Sequence, residues 1–165
     1  MSVSSWRKAL WTPTKNAKIA KVQPGARLAQ CDDAPACAAI LNGWIDATAW
    51  IPRVHTHEGV DAYYRQVALR RHRAWVIGDP VQGFLTLEEA TSMVMALYVS
   101  LPGHGLGKAL LDGAKEGRSF LELRTFVANT GARAFYEREG FNQVGRSSGD
   151  NEENLPDILL RWEPH

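Results

Sequence analysis

The chain has 165 residues, 45% of them hydrophobic, and a formal net charge of +1 at pH 7, which suits one globular domain with a sizeable core. No segment approaches the run of about 20 apolar residues that a membrane-spanning helix needs, and none has the pattern of a secretory signal, so we expect a cytoplasmic protein without membrane contact. The two cysteines, Cys31 and Cys37, have no second pair with which to build a disulfide framework or a zinc site, and we expect reduced structural thiols.

The start of the chain is basic. Residues 1–31 contain no Asp or Glu but carry six Lys and Arg side chains. Such a segment can be an arm that binds nucleic acid. No recognisable nucleic-acid motif follows it, so we expect residues 1–25 to be a solvated extension of a single domain, residues 26–165, and nucleic acid is not an expected partner.

Two helices are predicted ahead of the main strands. After a weak strand at residues 26–30, the run Asp32-Asp33-Ala34-Pro35 supplies an Asp N-cap and a Pro in the first turn of a helix. Apolar residues recur at helical spacing to about Asp46. Thr56 then caps a second predicted helix, at about residues 57–71.

From residue 74 the pattern predicts strands. AWVIG, QGFLTLE and SMVMALYVS are three β-rich runs separated by turn segments, as in antiparallel hairpins. The stretch SLPGHGLGKALL predicts a glycine turn and a helix that ends near Gly117. FLELRTFVA predicts another strand, ANTGARAFYEREG a helix capped by Asn129 or Thr130 and closed by Gly140, and FNQVGR and LPDILLRW two last strands. This order predicts an α+β fold with a mixed, mostly antiparallel central sheet of about six or seven strands flanked by helices.

The glycine turn is the first candidate functional feature. A glycine-rich turn that opens a helix presents backbone N–H groups to an anion, most commonly a phosphate. A P-loop would need a glycine at Pro102 and a hydroxyl at Ala109, and a dinucleotide-binding turn would need a glycine at Lys108, so both motifs are excluded. A turn that only lets the helix pack closely on the strand remains the alternative.

Two blocks of the sequence resemble the acetyl-CoA site of the GCN5-related N-acetyltransferase (GNAT) family. The first is ALYVSLPGHGLGKALL, where Gly105 and Gly107 match the family turn Gln/Arg-x-x-Gly-x-Gly/Ala. The second is LELRTFVANTGARAFYEREGF, whose matching residues are Asn129, Ala132, Phe135, Tyr136, Glu137, Gly140 and Phe141. The resemblance spans about residues 26–163 in the order of elements, and it implies the GNAT fold. It also implies acetyl-CoA binding by Leu97, Tyr98, Val99, Gly103, His104, Gly105, Leu106, Gly107, Lys108, Asn129, Phe135 and Tyr136.

The chain departs from the family at the head of the turn. Pro102 stands where the family has Gln or Arg, and proline has no N–H to donate. We expect the backbone amides of residues 103–108 to hold the pyrophosphate without that side chain, with His104 or Lys108 as candidates to replace it.

The resemblance also implies the chemistry. In the family the strands before and after the turn splay apart around the pantetheine arm, and here these are residues 96–99 and 120–127. The thioester carbonyl is expected near a backbone N–H between Leu97 and Val99, where it is attacked directly by an amine. Tyr136 matches the family's general acid, which protonates the departing thiolate; its alternative role is packing beside Phe135.

The general base is less well defined. The strand MVMALYV contains no carboxylate, so Glu88 and Glu89 just before it are candidate bases, with ordinary solvated turn carboxylates as the alternative. Asp150, Glu152 and Glu153 could attract a cationic amine, or could form a plain acidic surface loop.

A metal site is the remaining possibility that the side chains raise. His55 and His57 have His-x-His spacing, but no third ligand lies near them in the sequence. We therefore expect loop or helix-capping histidines and no metal.

These features predict an enzyme that moves the acetyl group of acetyl-CoA to a primary amine of a small molecule or a protein. The alternative is a non-catalytic acyl-CoA-binding regulatory module, which Pro102 and the missing strand carboxylate favour and Tyr136 opposes. The tryptophan-rich start also leaves room for a homodimer.

Overall fold

The computed structural model describes residues 25–165, which form one seven-stranded sheet with helices on both faces. The predicted extension at residues 1–25 lies outside the described residues except for Gly25. The strands are β1 (Arg27–Leu28), β2 (Arg73–Ile77), β3 (Gly83–Glu88), β4 (Met93–Val99), β5 (Leu121–Phe126), β6 (Asn142–Ser147) and β7 (Asp157–Trp162). The helices are α1 (Ala34–Ala47), α2 (His57–Tyr63), α3 (Leu69–Arg71), α4 (Leu106–Lys115) and α5 (Thr130–Arg138).

The start of α1 differs from the expectation in one respect. Pro35 lies in the first turn, as predicted, but the side chain of Asp33 does not cap α1. Its carboxylate instead accepts from the backbone N–H of Gln30 at 2.7 Å and pairs with Arg27 at 2.9 Å. Asp33 therefore stabilises the short 3₁₀ turn that precedes α1 and ties that turn to β1.

The second predicted helix is present and has an irregular middle. Thr56 caps it, since its Oγ1 accepts from the backbone N–H of Gly59 at 3.0 Å. Between α2 and α3 the chain forms one π-helical segment, Tyr64–Ala68, so the helical run extends to Arg71 as the sequence indicates. Within residues 25–165 every helix is too short or too polar to cross a bilayer.

The sheet has the order β1-β2-β3-β4-β5-β7-β6. The predicted hairpins are confirmed, because β2, β3 and β4 are antiparallel neighbours, and β5, β7 and β6 are antiparallel as well. β4 and β5 form the one parallel pair recorded in this sheet. The mixed, mostly antiparallel α+β fold that the sequence predicts is therefore the observed one.

The core is divided between the two faces of the sheet. Alternating residues of β4 point to opposite faces: Leu97 and Val99 pack on the α4 and α5 side, whereas Ala96 and Tyr98 pack on the α1 and α2 side. Both layers are closely packed, and each fully buried aliphatic side chain contributes about 1.5–3 kcal/mol of burial free energy. β4 is therefore fixed in place from both sides.

Gly83 gives a test of how tightly α4 packs on the sheet. A Cβ at Gly83 would lie 2.9 Å from Val99 Cγ1 and 3.3 Å from Leu110 Cδ1, so we expect Gly83→Ala to destabilise the fold by about 1–3 kcal/mol. A Cβ at the helical Gly43 meets no atom within 4 Å, so Gly43→Ala should be neutral or slightly stabilising. Urea unfolding of both variants measures the difference, and equal midpoints would contradict this packing.

Candidate active site

The candidate site begins where β4 and β5 separate. β4 stays paired with β3 as far as Val99, which faces Gly83. Its pairing with β5 is recorded at Met93 and Val94 and no further within the described chain. The β5-facing edge of β4 from residue 95 to residue 99 therefore offers backbone N–H and C=O groups to an extended ligand. The splay implied by the resemblance is present.

The glycine turn lies at the carboxyl end of β4, at the mouth of this gap. Gly103 and Gly105 both have φ +78°, a left-handed conformation that glycine adopts without the strain that other residues incur. Gly105 is the N-cap of α4, and no side chain of the described residues caps that end. The first amides of α4 are thus available to an anion at the positive end of the helix dipole.

A close contact joins the two sequence blocks that carry the resemblance. A Cβ on Gly107 would lie 3.0 Å from the ring of Phe135. Glycine at position 107 therefore lets the start of α4 lie directly against α5. This contact sets the spacing between the anion-binding turn and the helix that carries Tyr136.

The two side chains considered as replacements for the missing Gln or Arg have partners within the protein. His104 folds back on the turn, and its Nδ1 donates to the carbonyl oxygen of Pro102 at 2.9 Å. Lys108 Nζ pairs with Asp112 at 3.0 Å, a hydrogen bond that raises the pKa of the lysine, and lies 3.7 Å from Glu139. The cradle at this turn consequently consists of backbone amides.

Asn129 caps helix α5 and also carries a side-chain amide donor that has no acceptor among the described residues. Its Oδ1 accepts from the backbone N–H of Ala132 at 3.1 Å and so caps α5, as predicted. Its side chain is buried, and Nδ2 has no acceptor among residues 25–165. A buried amide donor without a partner is costly, so this atom fits a ligand carbonyl such as those of a pantetheine arm.

Tyr136 lies in the core layer on the α4 and α5 side. It is 1% exposed and packs against Phe135, with ring centroids 5.2 Å apart, and against Phe141 at 5.6 Å. Burial, and secondarily the nearby Tyr98, raises its pKa well above the ordinary tyrosine range. The phenol is therefore a neutral proton donor at physiological pH.

Tyr98 occupies the corresponding position on the other face. It belongs to the core layer beneath α1 and α2, and burial together with the charge of Glu153 raises its pKa. Tyr98 also contributes, after burial, to the raised pKa of Tyr136.

The structure places Glu88 and Glu89 away from the gap. Glu88 faces Met93 at the start of β4, and its carboxylate accepts from Thr91 Oγ1 at 2.7 Å. At about 3.3 Å per residue, the position expected for the thioester carbonyl lies about 13–20 Å further along the strand. Glu89 pairs with Arg73 and Arg118, and these hydrogen bonds lower its pKa. Glu88 is the last residue of β3 and Glu89 follows it in the β3–β4 turn, and we do not retain either as a candidate base.

The acidic loop between β6 and β7 is anchored toward the start of α2. Glu152 and His55 form an ion-pair contact of 2.7 Å, with each side chain 19% exposed. His57 instead contacts Asp46 at 2.8 Å, so the two histidines point to different carboxylates. No group of three or more metal-ligating side chains occurs in the described part of the chain.

An aromatic cluster beside Tyr98 is the part of the site that sequence reasoning missed. Trp44 packs on Tyr98 with centroids 5.6 Å apart and on Trp50 at 5.9 Å, and Trp50 packs on Phe126 at 5.7 Å. Trp44 fits the helical core pattern of α1, and Trp50 lies in a segment without periodicity. The sequence therefore contains no signal that these rings meet Tyr98.

Known proteins match the chain as follows. No family model matches it. The peptidyl-lysine N-acetyltransferase YiaC of Escherichia coli K12 is 28% identical over 136 aligned positions, which cover 75% of this chain and 88% of that protein. The solved structure of a GCN5-related N-acetyltransferase from Rhodopseudomonas palustris has a TM-score of 0.68 at 19% identity, covering 90% of this chain and all of that one. YncA of Salmonella typhimurium, solved with acetyl-CoA, has a TM-score of 0.63 at 20% identity and covers 88% of this chain and 96% of that one.

The chain has the fold of the GCN5-related N-acetyltransferases, and its sequence is similar to that of one N-acetyltransferase. The splayed strands expected from the resemblance are present, with the exposed edge of β4 on one side of the gap. The chain's distinguishing feature within the family turn is Pro102.

Two glycines at the ends of α4 provide a matched pair of substitutions that tests whether the backbone amides of the turn bind acetyl-CoA. Gly105 has φ +78° and Gly117 has φ +71°, and a Cβ at either position meets no atom within 4 Å. Alanine at each should cost a similar 1–2 kcal/mol, about the penalty for a left-handed residue. We expect Gly105→Ala alone to weaken acetyl-CoA binding, by about tenfold, because it disturbs the amides at the helix start. Isothermal titration with acetyl-CoA makes the comparison, and equal weakening by Gly117→Ala would contradict the assignment of the cradle.

Proposed function

We propose that this chain is a GNAT enzyme that transfers the acetyl group of acetyl-CoA to a primary amine by direct attack of the amine on the thioester. In this proposal the glycine turn, β4 and Asn129 bind acetyl-CoA, and Tyr136 is the general acid. The observation that carries the proposal is the strand gap between β4 and β5, whose mouth is formed by the uncapped start of α4. The buried Tyr136 of α5, in the core layer that also contains Leu97 and Val99 of β4, is the proton donor in this proposal. The curated relative is by its name a peptidyl-lysine N-acetyltransferase, and one structural neighbour is solved with acetyl-CoA.

Acetyl-CoA binding uses three groups of donors in this proposal. The amides at residues 103–108 hold the pyrophosphate, and the open edge of β4 pairs with the pantetheine arm. The Nδ2 group of Asn129 donates to a pantetheine carbonyl, which removes the cost of leaving that buried donor unpaired. Pro102 removes one side-chain donor from this set and leaves the backbone donors intact.

The transfer step uses Tyr136 as the general acid. A neutral amine attacks the thioester carbon, the carbonyl oxygen gains negative charge, and a backbone N–H of residues 97–99 stabilises it. The intermediate collapses with cleavage of the carbon–sulfur bond, and the phenol protonates the departing CoA thiolate. The nitrogen that attacked gives up its extra proton to water, and water returns a proton to Tyr136, so that the products are the amide and the CoA thiol.

The acceptor in this proposal approaches from the α1 and α2 face. Tyr98, the aromatic cluster around Trp44 and the anchored acidic loop all lie on that side. The charge of Glu152 and Glu153 attracts a cationic amine toward the gap. A lysine side chain, the acceptor in the name of the relative YiaC, is one amine of this kind. The location in the cytoplasm, the division at residue 25 and the homodimer stay predictions.

Replacing Tyr136 tests the proposed general acid. Tyr136→Phe keeps the packing with Phe135 and Phe141 but removes the proton donor, so we expect kcat to fall about 100-fold or more with little change in KM for acetyl-CoA. Thiol release measured with a panel of amines reports kcat. Tyr63→Phe, at the buried last residue of α2, is the matched control and should keep its activity. Wild-type turnover by Tyr136→Phe would refute the assignment.

The non-catalytic alternative needs a separate measurement. Saturating acetyl-CoA should stabilise the protein by about 2.7 kcal/mol at 100 times its Kd, whether or not the protein turns over. Stabilisation without thiol release for any amine would favour a regulatory acyl-CoA-binding module. Thermal unfolding unchanged by acetyl-CoA would contradict both acyl-CoA functions.

A further inference from the structure

A groove of about 420 Å³ runs beside α1 and reaches the carboxyl end of β4. Ala39, Gly43 and Trp44 form its helix side, and Val81, Val99 and Ser100 form its sheet side. Its volume lies in the range of small-molecule sites. None of the lining residues has a role in the acetyl-CoA cradle proposed above, apart from the expected backbone contact at Val99.

The groove adjoins the reacting position from the acceptor side. Val99 is the last residue of β4, and Ser100 is the first residue of the turn. Both line the groove and lie next to the backbone N–H groups proposed to stabilise the thioester oxygen. Ser100 is held there because its backbone N–H donates to the carbonyl oxygen of Gln82 at 2.7 Å. α1 packs on the face of the sheet opposite Tyr136. A molecule in the groove would thus approach the thioester from the side opposite the proton donor.

The lining of the groove selects for an apolar occupant. Ser100 is the only hydroxyl-bearing residue in this lining, and no charged side chain of the described residues lines it. Alanine and glycine at positions 39 and 43 leave room between α1 and the sheet, and a Cβ at Gly43 meets no atom within 4 Å. With a volume of about 420 Å³, the groove has room for a branched or aromatic group.

Trp44, which lines the groove, also carries a buried polar group. The residue is 6% exposed, and its indole N–H has no acceptor within residues 25–165. A buried indole N–H normally has a hydrogen-bond partner. An oxygen atom of the occupant, such as a carbonyl close to the amino group, would provide one.

Acidic side chains lie near Tyr98, the residue against which the groove-lining Trp44 packs. Trp44 packs on Tyr98, and Tyr98 is close enough to Glu153 for that carboxylate to raise the tyrosine pKa. Glu152 lies in the same loop and is held by His55. An amine carried on an apolar group in the groove would therefore have negative charge near its nitrogen and apolar walls around its body.

We infer that the groove between α1 and the end of β4 binds the body of the acceptor, an apolar α-amino amide of the leucine or phenylalanine type, free or at a peptide N-terminus. This assignment rests on the proposed acetyl transfer and narrows it to one class of amine. It differs from the lysine side chain named for the relative YiaC.

The test compares acceptors by kcat/KM for thiol release. Leucinamide and phenylalaninamide are the expected substrates. Two small controls each lack one feature: glycinamide has no apolar side chain, and isoamylamine has no carbonyl group. A peptide with a blocked N-terminus and one lysine offers only a side-chain amine. A tetrapeptide that begins with leucine separates the free amide from a peptide N-terminus. We expect leucinamide or that tetrapeptide to exceed the lysine peptide by at least about tenfold, the usual value of filling an apolar pocket. Preference for the lysine peptide would overturn the inference.

Two variants connect the preference to the groove. Gly43→Leu fills the groove without backbone strain, and we expect it to lower kcat/KM for leucinamide about tenfold or more, through KM, while that for glycinamide is kept. Ala47→Leu adds the same side chain to an exposed site on the same helix and should act like the wild type. Trp44→Phe should reduce the preference for leucinamide over isoamylamine about fivefold, the usual value of one hydrogen bond. Equal effects of Gly43→Leu on leucinamide and glycinamide would overturn the inference.

A binding measurement separates this inference from the proposed function. Calorimetry with CoA present measures binding of N-acetyl-leucinamide, the product, and needs no turnover. Product binding that Gly43→Leu weakens and Ala47→Leu does not would support the groove even if no amine were acetylated. Product binding equal in all three proteins, or absent from them, would overturn the groove assignment, whereas loss of acetyl-CoA binding itself would overturn the proposed function.

Discussion

The site depends on one constraint: among residues 25–165, β4 has a partner strand on only one edge beyond Val94. Where the parallel strands β4 and β5 separate, backbone donors and acceptors in the middle of the sheet lose their partners. This arrangement is costly unless a ligand or water pairs with them. Packing makes the arrangement possible, because β3 holds β4 through Val99 and core layers hold it from both faces. The gap is therefore a rigid slot for an extended ligand.

Both faces of the sheet contribute to this slot. Tyr136 comes from the layer under α4 and α5, and Tyr98 comes from the layer under α1 and α2. In the proposed reaction the proton donor lies on one side and the acidic loop and apolar groove on the other, which would keep the amine and the leaving thiolate apart. The proposal thus assigns the acceptor to α1, α2 and the β6–β7 loop, and acetyl-CoA to the turn, α5 and β4.

The anion cradle shows how a motif can lose a side chain and keep its physical basis. Pro102 replaces the residue that heads the turn in the family, yet the left-handed Gly105 still leaves the first amides of α4 uncapped. His104 and Lys108 have partners inside the protein and do not restore the lost donor. Pyrophosphate binding by this turn is thus expected to depend on backbone geometry, to which substitutions at glycine are the most sensitive.

Local signals in the sequence determined the elements, the two motif blocks and the resemblance to the GNAT family. Hydrophobic periodicity marked the hairpins, Thr56 and Asn129 marked helix starts, and Gly105 and Gly107 marked the anion-binding turn, because each of these depends on a few neighbouring residues. Only the tertiary structure decided the rest, since it depends on residues far apart in the chain. It placed Glu88 and Glu89 at the end of the sheet where β4 and β5 are still paired. It also paired Glu152 with His55 and packed Trp44 and Trp50 into one cluster with Tyr98. The register of β4 and the crossing of α1 over the sheet set these distances, and no local pattern specifies either.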